Sequence, residues 1–155
     1  MMQRKRIVSL AMIFSLLAGL ALPVGAAEAV VFIHSEEDWE QFVEQCVQDV
    51  WSQGLTVHLT ADLNLTGREW KPVPIFQGTF HGGGHKITGL HFEKEGSQIG
   101  LFRTLTQSAV VENLIVEGEI IAQGTAQSVG LLAGENYGTV EGCASFGTVS
   151  GQACV

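Results

Sequence analysis

The residues best suited to chemistry in this chain include two histidines that flank a run of three glycines. His81 and His85 stand on either side of Gly82 to Gly84, and paired imidazoles are frequent metal ligands. A helix would bring both rings to one side at this spacing, but three consecutive glycines strongly disfavour a helix. We therefore expect a tight corner that carries two exposed imidazoles and no metal site.

Two pairs of acidic residues offer a second candidate chemistry. Glu93 with Glu95, and Glu117 with Glu119, lie two positions apart, a spacing that points both carboxylates to one face of a β-strand. Two carboxylates that flank a sugar are the catalytic arrangement of glycosidases. Charged side chains at alternating strand positions more often form the solvated outside of a fold. We expect the second role.

The chain lacks the sequence motifs of the common hydrolases. The tetrad that begins at His81 matches the oxyanion loop of lipases, but no G-x-S-x-G nucleophile elbow accompanies it. The zinc-peptidase motif H-E-x-x-H is also missing from the sequence. We therefore predict no catalytic, cofactor-binding or metal-binding residues, no cofactor and no enzymatic activity.

The amino terminus has the pattern of an export signal. Basic residues at positions 4–6 precede the apolar stretch 7–22, and the small-residue stretch 23–29 offers cleavage sites. A membrane anchor is the alternative, but the apolar run is about 16 residues long, and about 20 are needed to span a bilayer. We predict a cleaved signal peptide at residues 1–29, no membrane span after its removal, and an extracellular location, secreted or at the cell surface.

The net charge restricts the possible partners, and the cysteine content restricts the possible disulfide bonds. The net charge of -8 repels phosphate backbones, so nucleic acid is not an expected partner. The three cysteines are an odd number with no C-x-x-C pair, which argues against a disulfide framework. We expect Cys46 and Cys143 to be buried as small apolar residues.

Residues 30–54 predict a strand followed by an amphipathic helix. The apolar stretch from Val30 to Ile33 reads as the strand, and Ser35 before three acidic residues reads as a helix N-cap. Apolar residues then recur at steps of three and four, at Trp39, Phe42, Val43, Cys46 and Val50. We expect a helix that ends near Ser52 and covers the open end of a repeat fold.

Residues 55–155 consist of short alternating strands interrupted by glycine and asparagine. Segments that begin at Ile87, Val111 and Val140 are apolar at their first and fourth positions and carry Gly or Asn at the third. Gly and Asn accept a left-handed backbone readily. We predict that the first positions stack in one interior column. A second column is expected to hold Leu90, Leu114 and Cys143.

This repetition predicts an all-β fold, a right-handed parallel β-helix or β-solenoid with an N-terminal capping α-helix. The coils would occupy residues 55–155, and each would bury apolar area that no coil could bury alone. The sequence stops shortly after the third repeat without a polar capping segment. We therefore expect truncation at the C-terminus, with downstream domains of a longer chain as partners.

Residues 129–151 resemble the GLUG motif, a short repeat of large exported bacterial proteins that include IgA-specific metallopeptidases and adhesin-like proteins. Residues 57–65 and 76–87 are similar to the segment that commonly precedes those repeats, L-T-x-D-I-D-L followed by F-x-G-T-F-D-G-N-G-H-x-I. Two positions depart from this pattern. His81 replaces the usual Asp, which removes a possible cation ligand, and Gly83 replaces the usual Asn.

The resemblance implies a β-helix-like stalk or adhesive module. It carries over no catalytic site, because the zinc motif of the metallopeptidases lies in another domain. The predicted function is a non-catalytic extracellular β-solenoid module of a bacterial surface or secreted protein, with a host or cell-surface protein or glycan as candidate ligand. The alternative is the N-terminal part of a larger surface enzyme, a metallopeptidase or carbohydrate-active β-helix enzyme, with catalytic residues outside this chain.

Overall fold

A computed structural model describes residues 29–48, 50–124 and 128–151. The predicted signal peptide lies outside these residues except for Ala29. The elements of the described part follow in chain order: β1 (Val30–Ile33), α1 (Glu36–Gln45), β2 (Thr56–Leu59), β3 (Leu63–Asn64), β4 (Val73–Phe76), β5 (Thr79–His81), β6 (Lys86–Glu95), β7 (Phe102–Leu105), β8 (Val110–Glu112), β9 (Ile115–Gln123), β10 (Ala133–Asn136), β11 (Thr139–Glu141) and β12 (Ala144–Ser150).

The strands form three parallel sheets that the chain visits in turn. The first sheet has the order β1-β2-β5-β8-β11, the second β12-β9-β6-β3 and the third β10-β7-β4. Three complete coils, formed by β2 to β4, β5 to β7 and β8 to β10, each contribute one strand to each sheet before the chain returns to the first sheet. The result is a parallel β-solenoid of roughly four turns. This architecture and the capping helix confirm the predicted fold class.

Interior side chains stack in register from coil to coil. In the first sheet Val57 pairs with Phe80, and Phe80 pairs with Val111. In the second sheet Ile87 pairs with Leu63 on one side and with Val116 on the other. These side chains are buried, and paired strands lie about 4.8 Å apart. Apolar columns of this kind form the core of the solenoid.

The predicted interior columns are wrong in their membership. Val111 does pair with Val140, but Ile87 belongs to the second sheet and stacks on Val116. The corner before Ile87 holds four residues, 82–85, whereas the corresponding corner of the next coil holds two, 113–114. An alignment that ignores this difference in corner length shifts one coil against the next.

The second predicted column fails for the same reason. Leu90 lies opposite Gly118 in β9, whereas Cys143 takes the place of Leu114 in the next coil, since the strand residues on either side are paired. The predicted left-handed bends are nevertheless confirmed. Gly89, Asn113 and Gly142 have φ values of 76°, 51° and 61°, although the first lies at a register shift inside β6 and the other two at corners.

The helix α1 closes one end of the interior. It begins after Ser35, whose side chain accepts a hydrogen bond of 3.2 Å from the backbone N–H of Asp38, as the sequence predicts. Its buried Phe42 lies with its ring centroid 6.0 Å from that of Phe76 and 6.1 Å from that of Phe80. Because these two rings belong to the solenoid interior, α1 shields them from water.

The helix ends earlier than the sequence predicts. It stops at Gln45 instead of continuing to Ser52, and Val50, expected on its apolar face, is 71% exposed. The chain turns after Cys46 and brings Ser52 back to the solenoid. There the buried Ser52 hydroxyl accepts a hydrogen bond of 3.1 Å from the backbone N–H of Gln77. This contact with the end of β4 replaces the predicted last turns of the helix.

Replacement of Phe80 by alanine should strongly destabilise the fold. The ring is fully buried and contacts the rings of Trp39, Phe42 and Phe102, so its loss leaves a cavity under the cap. We expect the free energy of unfolding, measured by chemical denaturation, to fall by about 3–5 kcal/mol. The matched control is Phe146→Ala, because that ring is 58% exposed; its expected change is below about 0.5 kcal/mol. Equal losses in the two variants would contradict this account of the core.

Candidate functional site

A cleft of about 210 Å³ lies between α1 and the loop formed by residues 65–71. Its apolar lining comes from Trp39 and Val43, which lie one turn apart on α1, and from Leu65 and Trp70 of the loop. The first three of these side chains are buried, whereas Trp70 is partly exposed. The cleft therefore has an aromatic and aliphatic floor that remains partly open to solvent.

Local hydrogen bonds shape the loop that forms the second wall. The backbone N–H of Arg68 donates to the carbonyl of Leu65 at 3.0 Å, which closes a turn. Gly67 within this turn has a φ of 74°, a conformation that side-chain-bearing residues rarely adopt. The turn directs Arg68 toward the cap, where its guanidinium contacts α1.

Arg68 links the loop to the helix through two carboxylates. Its Nη1 donates to Glu40 Oε1 at 2.7 Å and its Nη2 donates to Glu37 Oε1 at 3.0 Å. The hydrogen bond to Glu40 raises the pKa of Arg68 most, and the guanidinium in turn lowers the pKa of Glu37. Exposed ion pairs of this kind contribute little stability but fix geometry. They hold the two walls of the cleft at a defined separation.

The remaining rim carries charges of both signs. Glu44 from α1, and Glu69 and Lys71 from the loop, are exposed and line the cleft beside Glu40 and Arg68. The rim therefore offers carboxylate acceptors as well as cationic donors around an apolar floor. Such a mixture can hydrogen-bond a ligand that both donates and accepts.

Trp70 contributes a buried donor with no acceptor. Its Nε1 atom has no hydrogen-bond partner in the structure, while the edge of its ring packs against Phe92 with centroids 5.3 Å apart. A buried N–H without a partner costs about 1–3 kcal/mol. No pattern in the sequence signalled the unpaired N–H or the cleft.

A backbone hydrogen bond anchors the first turn of α1. Glu36 Oε1 accepts a hydrogen bond of 2.9 Å from the backbone N–H of Asn64, at the end of β3. This bond lowers the pKa of the Glu36 carboxyl below its ordinary value of 4.5. The Glu36 carboxylate thus secures the first turn of the helix to β3. The acidic residues of this turn also interact favourably with the helix dipole.

The structure separates the two histidines that the sequence singled out. His81 Nδ1 lies 2.9 Å from Glu112 Oε2, and His85 Nδ1 lies 3.1 Å from Asp62 Oδ1, so each imidazole has its own carboxylate. Both side chains are about one-third exposed, less than predicted. Within the described ranges, no three His, Cys, Asp or Glu residues are grouped so as to hold a metal ion.

His81 belongs to an outward-facing column on the first sheet. Strand register stacks Phe32, His58, His81, Glu112 and Glu141 in successive coils. The rings of Phe32 and His58 have centroids 5.3 Å apart, and those of His58 and His81 are 4.8 Å apart. This outer column was not predicted, although its members alternate with buried residues in the same strands, and this alternation is visible in the sequence.

The acidic pairs lie on the outside of the second sheet. Glu117 and Glu119 are both exposed, and Glu119 Oε2 lies 3.4 Å from His91 Nδ1. Glu93 is also exposed and accepts a hydrogen bond of 3.3 Å from Gln123. Glu93 and Glu119 thus contact neighbouring polar side chains, and none of Glu93, Glu117 and Glu119 lines the cleft beside α1.

The described cysteines are free thiols in different surroundings. Cys46 is buried against the core, as predicted, and burial raises the pKa of its thiol to about 12. Cys143 is only partly buried because it lies in the last described coil. Cys154 lies outside the described residues. A thiol with so high a pKa is a poor nucleophile, so Cys46 acts as a core residue.

The chain is similar to parts of two much longer proteins. It is 31% identical to a Gly-rich membrane protein of Evansella cellulosilytica over 137 residues, which cover 76% of this chain and 16% of that protein. It is 35% identical to halomucin of Haloquadratum walsbyi over 78 residues, which cover 50% of this chain and 1% of that protein. The chain thus spans a small fraction of the relatives that it matches.

Further comparisons concern protein families, solved structures and membrane-spanning helices. No protein-family profile and no solved structure matches the chain. The part of the chain that the structure describes contains no helix with the length and apolar character needed to cross a bilayer. The chain is therefore a β-solenoid. Sequences similar to it occur as small parts of two long proteins, one named a membrane protein and the other halomucin.

Replacement of Glu36 by glutamine should make the fold less sensitive to acid. Because the folded-state pKa of Glu36 is lowered, its ionised form stabilises the fold above the pKa of the unfolded chain, and this contribution is lost as pH falls through the lower folded value. We expect Glu36→Gln to lower the thermal midpoint at neutral pH and to flatten its decline as the pH falls below 4.5, the ordinary pKa of this carboxyl.

The control for this pH profile is Glu117→Gln, which changes an exposed carboxylate on the second sheet. Its pH profile of thermal midpoints should follow that of the unsubstituted chain. If Glu36→Gln showed the same profile as this control, the hydrogen bond from Asn64 would not be a source of acid sensitivity.

Proposed function

We propose that this chain is a non-catalytic extracellular β-solenoid module of a bacterial surface or secreted protein, with a stalk or ligand-binding role. The observation that supports it most is the in-register stacking of successive coils over one shared interior. The resemblance to GLUG-containing proteins points the same way. The alternative, the N-terminal part of a larger surface enzyme, places all catalytic residues outside this chain.

A stack of coils has the properties that a molecular spacer needs. In a solenoid each coil contacts only its neighbours, so length grows with coil number while each interface stays the same. Each added coil extends the molecule by about 4.8 Å. The three sheets and their buried columns make the stack stiff, because bending it would disturb interior contacts on every side.

The relatives and the amino terminus support the surface assignment. The first relative carries the words membrane protein in its name, and both relatives are many times longer than the matched region. A module that forms a small part of a very long chain fits a structural or adhesive role in that chain. Residues 1–29 would act as the export signal that delivers it.

Duplication of one complete coil tests the spacer role directly. The N–H of Val110 donates to the carbonyl of Gly78, and that of Thr139 donates to the carbonyl of Ala109, so residues 78 and 109 occupy the same place in successive coils. A second copy of residues 79–109 inserted after Ala109 should therefore fold. We expect cooperative unfolding with a free energy no lower than that of the parent chain, because each coil adds an interface.

The control inserts residues 79–93 at the same point, which adds only part of a coil. It breaks the order in which the chain visits the three sheets, and we expect loss of cooperative unfolding. If both insertions were tolerated equally, or the complete coil unfolded the chain, the coils would not be interchangeable spacing units.

The absence of catalysis is tested with the chain that remains after removal of residues 1–29. We expect no turnover of neutral or acidic glycans or of unstructured peptides, measured by product chromatography against a heat-denatured control. Turnover at ordinary enzymatic rates, of about 1 s⁻¹ or faster, would contradict the proposal. If such turnover disappeared in Glu117→Gln with Glu119→Gln, the outer acidic pair would be the catalytic one.

A further inference from the structure

We propose that the cleft between α1 and residues 65–71 binds one ring of a neutral saccharide. The proposal rests on the ligand-binding part of the proposed function and gives it a substrate class. It does not depend on the spacer role, because α1 and the loop lie at the capped end of the stack. Loss of saccharide binding in a protein whose coils still fold cooperatively would therefore leave the spacer role intact.

The size of the cleft limits the ligand. Its volume of about 210 Å³ lies below the range of roughly 300–1,000 Å³ that is typical of sites for drug-sized molecules. A single six-membered sugar ring matches this space, with its linked neighbours outside in solvent.

The floor of the cleft suits the apolar face of a sugar. Pyranose rings carry C–H groups on one face, which pack on aromatic and aliphatic side chains. Trp70 is the partly exposed aromatic residue of the lining, and its edge contact with Phe92 restrains the indole. Val43 and Leu65 complete an apolar surface beside it. A rigid aromatic residue provides contact area at low entropic cost.

The charges of the rim favour a neutral ligand that has many hydroxyl groups. Three carboxylates, of Glu40, Glu44 and Glu69, oppose the cationic groups of Arg68 and Lys71. A hydroxyl group donates to a carboxylate and accepts from a cation, so a saccharide uses both kinds of rim residue. An anionic ligand would meet three carboxylates, and a cationic ligand would meet a guanidinium and an ammonium group.

The indole of Trp70, a residue that lines the cleft, has an N–H without an acceptor. Its Nε1 atom is buried and has no hydrogen-bond partner, while Glu69 and Lys71 on either side of it in sequence are exposed and free to change rotamer. The proposal requires that these side chains move and that a sugar hydroxyl oxygen then reaches the N–H. The bond formed would remove the cost of a buried donor, which makes it stronger than an average exchange with water.

The test titrates the chain lacking residues 1–29 with glucose, galactose, mannose and N-acetylglucosamine, and follows the indole N–H and backbone amide resonances by NMR. We expect saturable shifts of the Trp70 indole and of residues 65–71 with at least one of these sugars. Glucuronate and choline serve as anionic and cationic probes, and we expect each to bind at least about fivefold more weakly than the best neutral sugar.

Matched variants identify the groups that bind. Trp70→Phe keeps an aromatic ring and removes the N–H, so the dissociation constant, followed on the backbone amides, should rise about fivefold to tenfold. Thermal stability should stay equal or increase, because the unpartnered donor is gone. The control Glu119→Gln lies on the outer face of the second sheet and should leave binding unchanged.

Three outcomes would overturn the proposal. The first is the absence of a saturable shift at residues 65–71 with all four neutral sugars. The second is tighter binding of choline or glucuronate than of any of these sugars. Equal affinities for the unsubstituted chain and for Trp70→Phe, with Trp70→Phe still folded, would show that the indole N–H is not a ligand contact.

Discussion

Equal register between parallel strands is the constraint on which the rest of this molecule depends. Side chains alternate between the two faces of a strand, so a fixed register places interior residues over interior residues and outer residues over outer residues. The stack of Val57, Phe80 and Val111 inside the first sheet and that of His58, His81 and Glu112 outside it are two results of one pairing. A slip by one residue would exchange the two stacks and expose the core.

The same constraint explains why the end of the stack needs α1. The third sheet ends at β4, and without a cover the buried Phe76 of that strand would face water. Phe42 and Trp39 of α1 cover Phe76 and Phe80, and the Glu36 carboxylate fixes the helix to Asn64. A helix is a cylinder about 10 Å wide, and it cannot fill the flat end of a three-sided stack completely. The cleft beside residues 65–71 is the space that remains.

How far the sequence predicts this structure depends on the range of the interactions. Short-range signals succeeded: Ser35 caps the helix, and Gly89, Asn113 and Gly142 adopt the left-handed bends. Long-range register failed, because Gly89 at a bulge and Asn113 at a corner share a backbone conformation but not a place in the coil. Residue type reports local φ, whereas register depends on the length of each corner.

The helix end and the cleft were beyond prediction for a related reason. Apolar spacing suggested that the helix would continue to Ser52, but the hydrogen bond from Gln77 to the Ser52 hydroxyl joins residues 25 positions apart. The walls of the cleft are likewise brought together by Arg68, which reaches Glu40 across 28 positions. Contacts of this kind exist only after the coils have stacked. The residues that line the cleft all lie between Trp39 and Lys71. Because each coil contacts only its neighbours, we expect coils added after Ala109 to leave the contacts that shape the cleft unchanged.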